Sequence, residues 1–140
     1  MILRRSFLKK CGQAFALLGL GAAIPKTEEN KGEKEFFHQV FFWMKEPENK
    51  QLKATFEKNL SVFLKVCEKD KLFTRKYFVG TPANTPREVV DNTYAYSLVV
   101  VFKNKEFHDK YQEHPAHKKF IEDTKQLWTK VLIYDAIGIL

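Results

Sequence analysis

Residues 36–44 read FFHQVFFWM, a run of aromatic and β-branched side chains that is apolar on both alternating faces. A strand covered on both sides has this pattern, whereas a half-solvated strand alternates apolar with polar. Residues 94–102, YAYSLVVVF, give the same signal more clearly still. Between the two, Leu52, Phe56, Leu60, Phe63, Leu64 and Cys67 recur at spacings of three and four, with Lys53, Glu57, Lys58, Lys65 and Glu68 interleaved. That spacing predicts an amphipathic helix over about 48–69, beginning just after Pro47 and burying one stripe. Residues 72–79, closed by Gly80, read as a second strand. Residues 81–93, TPANTPREVVDNT, carry two prolines and no period, so they read as a long loop of the kind that forms lids or partner contacts.

Asn104 is a candidate N-cap, with Glu106 and Asp109 near the positive end of the helix that follows. This helix breaks at Glu113-His114-Pro115. A further helix is expected over 116–130, with Phe120, Leu127 and Trp128 as core contacts, and a last strand from Val131 to Tyr134 or beyond. The order βαββαβ is the ferredoxin-like α+β arrangement, an antiparallel four-stranded sheet with helices on one face. The strands are apolar on both faces, yet the helices cover only one. A homodimer packing sheet against sheet buries the other economically.

Composition agrees with one compact domain. The chain has 140 residues, 44% of them hydrophobic, with 13 Phe, 5 Tyr and 2 Trp, which excludes a disordered protein. Two cysteines exclude a disulfide-rich scaffold, and Cys67 on the apolar helix stripe reads as a small buried hydrophobe. The net charge of +7 is concentrated: residues 1–23 hold four bases (Arg4, Arg5, Lys9, Lys10) and no acid. The remaining 20 bases face 17 acids, a balance of only +3, and no basic stripe suggests nucleic acid.

Residues 1–23, MILRRSFLKKCGQAFALLGLGAA, have the basic, apolar and small-residue layout of an export signal. The apolar run is shorter than the ~20 residues of a membrane span, which argues against an uncleaved anchor and for a mature protein without one. Arg4-Arg5-Ser6-Phe7-Leu8-Lys9 resembles the twin-arginine export motif, implying passage through that machinery to a periplasmic or other extracytoplasmic compartment. Cys11 precedes the apolar run, which does not fit a lipoprotein cleavage site. Residues 24–35 are then a flexible, polar lead-in and 36–140 the folded domain.

His38 in the first strand, the strand at 94–102, and Tyr111-Gln-Glu-His114-Pro-Ala-His117 together resemble the dimeric α/β-barrel family called Dabb, or stress-responsive A/B barrel. The resemblance spans nearly all of 36–135. It implies a homodimer whose two sheets close into a barrel, with a small-molecule pocket between sheet and helices in each protomer and no assigned activity. Within this fold, the olivetolic acid cyclase type of polyketide cyclase works by histidine and tyrosine acid–base chemistry. By motif, its working residues fall on His38, Tyr111 and His117. The alternative to a binding protein is therefore a cofactor-free enzyme performing enolisation or aldol cyclisation. His117 would be the base, Tyr111 its orienting partner or oxyanion donor, and His38 a polar group on the pocket wall. Val40, Phe42 and Tyr96 are the expected apolar substrate contacts.

Each of these residues also has a plain structural reading. Pro115 forbids helical continuation and His114 can bond the freed backbone groups, so that pair is assigned a helix break and restart. Tyr111 fits a core aromatic with its hydroxyl at a rim, and His38 a satisfied buried histidine. No HExxH or paired CxxC spacing is present, so neither metal nor other cofactor is predicted; a metal linking His38, His114 and His117 has no motif behind it.

Overall fold

A computed structural model describes residues 33–139. The export signal at 1–23, Cys11 and most of the lead-in lie outside the described residues. In chain order the elements are β1 (Phe36–Met44), α1 (Lys50–Lys69), β2 (Phe78–Gly80), β3 (Tyr96–Phe102), α2 (Lys105–Glu113), α3 (Pro115–Thr124) and β4 (Trp128–Ile137). The strands form one sheet in the order β2-β3-β1-β4, every neighbouring pair antiparallel. This is the expected ferredoxin-like topology. Among the described residues, no helix is long and apolar enough to cross a membrane.

β1 is the centre of the architecture. Its residues alternate, with Phe36, His38, Val40, Phe42 and Met44 buried and Phe37, Gln39, Phe41 and Trp43 only half-buried. The buried set faces the helices: the Phe42 ring lies 5.1 Å from Phe56 of α1 and 6.3 Å from Phe120 of α3. Phe56, Leu60, Phe63, Leu64 and Cys67 supply the buried stripe of α1, as their spacing predicts. Among the described residues, no helix or strand covers the other face of the sheet. There Phe41 lies beside Ser97 and Leu132, and Gln39 beside Val99 and Tyr134, while Phe78 and Tyr134 remain 61% and 57% exposed.

The helix ends follow local chemistry. Asn49 caps α1 by accepting from the amides of Gln51 and Leu52. At its other end Lys71 takes a left-handed conformation (φ 57°), Lys71 N–H donates to the Glu68 carbonyl and Leu72 N–H to that of Cys67. This is a Schellman closure, with Leu72 buried as its hydrophobic contact. Asn104 caps α2 through the Phe107 amide, at 3.1 Å.

Two expected elements differ. The second strand is three residues long, not the eight of 72–79, because Phe73 and Tyr77 turn inward to pack on the core. Only the Thr74 amide and hydroxyl reach β3, both donating to the Val101 carbonyl. The last helix stops at Thr124 instead of Lys130. The amides of Lys125 and Leu127 close a turn onto Ile121 and Thr124, and Lys45 N–H donates to the Leu127 carbonyl, which draws the chain into the sheet. Trp128 therefore opens β4 opposite Met44.

Candidate functional site

The break between α2 and α3 positions the chemistry. His114 ends α2 and caps α3: its Nδ1 accepts from the Ala116 amide at 3.1 Å, its Nε2 lies 3.1 Å from Asp70 Oδ2, and Pro115 takes the first helical position. Proline is suited to that position because its missing N–H is not needed there. Cys67 Sγ sits 4.0 Å from the same imidazole. The Cys67 thiol is fully buried and pushed up to about 12 by that burial, so it packs as a neutral group. His114 therefore serves α3 and Asp70.

With α3 re-aimed, His117 comes to lie 4.6 Å, ring to ring, from Tyr111 of α2. Tyr111 in turn meets His38 of β1 edge to face at 5.6 Å. All three line one cavity of about 310 Å³ between sheet and helices. Val40, Phe42, Leu98, Val131 and Ile133 form its sheet wall, Phe63, Phe120 and Ile121 its helical wall, and Gln112 and Trp128 complete it. Two of the three expected apolar contacts, Val40 and Phe42, thus share the cavity. Tyr96 does not. Its hydroxyl donates to Glu57 Oε1 at 2.6 Å and its ring stacks on Phe56 at 4.9 Å, holding it against α1, and Leu98 is the β3 residue in the cavity wall.

The hydrogen bonds fix the proton on each imidazole. His117 Nδ1 lies 3.2 Å from the Gln112 carbonyl, which can only accept, so Nδ1 carries the hydrogen and Nε2 the lone pair. His38 Nδ1 lies 2.7 Å from Asp135 Oδ1 across β1 and β4, giving the same tautomer. Burial pulls both histidines below their ordinary pKa. For His38 the Asp135 carboxylate opposes that shift without overcoming it, and for His117 the Gln112 carbonyl does so. Burial pushes the Tyr111 phenol the other way, well above its ordinary value. The arrangement is therefore two neutral imidazoles, each with a basic Nε2, beside an un-ionised phenol. It can take a proton at an imidazole and donate a hydrogen bond from the phenol, and both kinds of group are uncharged at rest.

Sequence reasoning passed over His108 and Asp135. His108 is buried, stacked on Phe36 at 4.3 Å and 5.1 Å from the His38 ring. Among the described residues, His38, His108 and Asp135 form the one group whose side chains could converge on a metal ion. The available signal was His108 three residues before Tyr111, on the same helical face. Asp135 had no local signal, because its role exists only through β1–β4 register.

The stress-responsive A/B barrel domain model matches residues 36–137. The chain belongs to the Dabb family. The fold recurs in solved structures at low sequence identity. A dimeric ferredoxin-like protein of unknown function from Thermobifida fusca is 13% identical with a TM-score of 0.61, covering 76% of this chain and 92% of that one. A Dabb family protein from Mesorhizobium loti is 18% identical with a TM-score of 0.59, covering 76% and 99%. The hydroxynitrile lyase of Passiflora edulis is 12% identical, again with a TM-score of 0.59, covering 77% and 95%. At these identities the likeness is one of fold. No curated protein matches the chain in sequence.

Proposed function

We propose that this Dabb protein is an exported homodimer whose apolar pocket holds a small organic molecule bearing a carbonyl or hydroxyl group. The observation that carries this reading is the convergence of His38, Tyr111 and His117 on one cavity of about 310 Å³ whose remaining walls are largely apolar. Pockets of this size, with a few polar groups among apolar walls, suit small ligands and use the polar groups to orient them.

The dimer reading rests on the uncovered sheet face. Phe37, Phe41, Trp43, Phe78, Val99, Leu132 and Tyr134 lie there without a layer of described residues above them, and large aromatic faces of that kind mark interaction surfaces. The end of the 81–93 loop lies on this side as well, Trp43 Nε1 donating to Thr93 Oγ1 at 2.9 Å. It thus serves a partner contact better than a pocket lid. Solved structures of similar fold from Thermobifida fusca and Bacteroides fragilis are described as dimeric. Export rests on the twin-arginine-like amino terminus.

A second reading, cofactor-free acid–base catalysis of the polyketide cyclase type, is favoured by the His117 tautomer. Its free Nε2 suits removal of a proton alpha to a carbonyl, and the Tyr111 phenol, 4.6 Å ring to ring, suits an enolate oxygen. Native mass spectrometry of mature protein from an exporting host tests the proposal. A dimer carrying a small organic molecule, lost on His117→Ala, supports it. A monomer, or an empty dimer that takes up no carbonyl compound from a screened panel, refutes it. Turnover of a bound carbonyl compound, abolished by the same substitution, would select the enzymatic reading.

A further inference from the structure

The geometry points to a divalent transition-metal site formed by His38, His108 and Asp135, at the β1–β4 side of the cavity. One ligand atom from each residue lies within 4.8 Å of the other two. Zinc-like ions bind imidazole nitrogen and carboxylate oxygen at ~2.0–2.2 Å, which sets tetrahedral ligand atoms about 3.4 Å apart. Closing the cluster on an ion therefore takes movements of about an ångström. Asp135 is free to make them, since its side chain is 41% exposed on the edge strand. Its exposure also gives the ion a way in from solvent.

A second observation comes from His108. Its ring is buried, and Nδ1 has no hydrogen-bond partner among the described residues. Asp109 Oδ1 is 3.5 Å away, but Lys105 Nζ holds that carboxylate at 2.7–2.8 Å. A buried ring nitrogen left without a partner is costly, and structures rarely tolerate one without a reason. Gln112 supplies the reason. Its amide nitrogen lies 3.1 Å from His108 Nε2; with that amide flipped, the oxygen accepts from Nε2–H and leaves a lone pair on Nδ1. A histidine with one ring nitrogen donating to an amide or carboxylate and the other bare has the usual outer support of a metal ligand.

The donor set selects the ion. Two imidazoles and one carboxylate suit zinc, cobalt, nickel or ferrous iron and not calcium or magnesium, which take oxygen ligands. His38 also lines the cavity, so a remaining coordination position is available to an oxygen of the occupant. The ion would engage His38 and leave His117 with Tyr111 as the acid–base pair. The site does not depend on export or on dimerisation.

The test is a Co²⁺ titration of the full chain after chelator treatment, read by visible d–d absorption and by metal content after desalting, then repeated with Zn²⁺ competition. One ion per protomer is expected. Asp135→Asn, which keeps size and strand pairing, should weaken binding at least tenfold, and His108→Ala likewise with unchanged circular dichroism. His114→Ala should leave binding intact, since that imidazole pairs with Asp70. Absence of d–d bands, or binding that survives Asp135→Asn or follows His114 instead, would overturn the inference.

Discussion

Replacing Tyr111 by phenylalanine separates the structural from the functional use of this side chain. Its ring is 1% exposed and packs 4.6 Å from His117, 5.0 Å from Phe102, 5.5 Å from Phe63 and 5.6 Å from His38. Truncating such a ring to alanine costs about 3–5 kcal/mol. The hydroxyl is a different matter. Burial and neighbouring charge, with no hydrogen bond, set its raised pKa, and it belongs to a residue lining the cavity. A hydroxyl with an internal partner would lose ~0.5–1.5 kcal/mol on deletion; one held in an apolar setting without a partner loses nothing and recovers part of its desolvation cost. Tyr111→Phe should therefore leave stability unchanged or raise it by up to about 1 kcal/mol, a melting shift of at most ~4–8 °C upward for a domain of this size. Urea denaturation of the two variants and the parent reads this directly. The same substitution should weaken ligand binding by about two- to twelvefold, one hydrogen bond's worth. A loss of stability above about 1 kcal/mol in Tyr111→Phe would show that the phenol is committed internally. It would then not be available to a ligand or an enolate.

Three further outcomes follow from the same packing. His38 and His117 are held below the ordinary histidine pKa, so as pH falls the unfolded chain takes up protons before the folded one does. Their contribution to stability is complete above about pH 6.5 and is lost progressively below it, by at most about 1.4 kcal/mol per pH unit for each ring. Urea midpoints in metal-free buffer should fall between pH 7 and pH 5, less steeply in His117→Gln; a flat profile would contradict the burial. Cys67, buried and with its thiol pushed up to about 12, should resist maleimide in native protein and react in urea, as mapped by peptide mass. Asn104→Ala removes the α2 cap and should cost ~1 kcal/mol in urea denaturation, a loss that Asn104→Ser largely restores.

Where residue pattern and local chemistry agree, the fold is legible from sequence. β1 occupies the residues read as a strand, α1 buries the stripe its spacing predicts, and Asn104 caps the helix that follows it. Reading fails where apolar residues serve the core without a ladder. Phe73 and Tyr77 look like strand residues because they pack half-buried on the core from a loop. Leu127 and Trp128 fit a helical period, yet they belong to a turn and to the first residue of β4. Periodicity reports which side chains are buried. It does not say whether the backbone carrying them pairs.

The candidate site divides the same way. His38, Tyr111 and His117 were reachable because a motif ties them together, and they share one cavity. Tyr96 lies outside that cavity's lining, because alternation puts it on the buried face without saying which helix it meets, and Glu57 takes its hydroxyl. His108 and Asp135 were not reachable at all. Asp135 is 97 residues from His38 in the chain and opposite it in the sheet, a pairing set by the β1–β4 register. A one-residue slip of that register would carry Asp135 to the uncovered face and leave His38 without its acceptor. The register is in turn favoured by Val131 and Trp128, half-buried on the cavity side, which a slip would turn outward. The electrostatic setting of the pocket is thus held by apolar residues that do no chemistry. Val131→Asp, which loads the same face of β4 with charge, should disturb His38 before it unfolds the domain, visible as a shift of the His38 ring resonances that Tyr111→Phe does not produce.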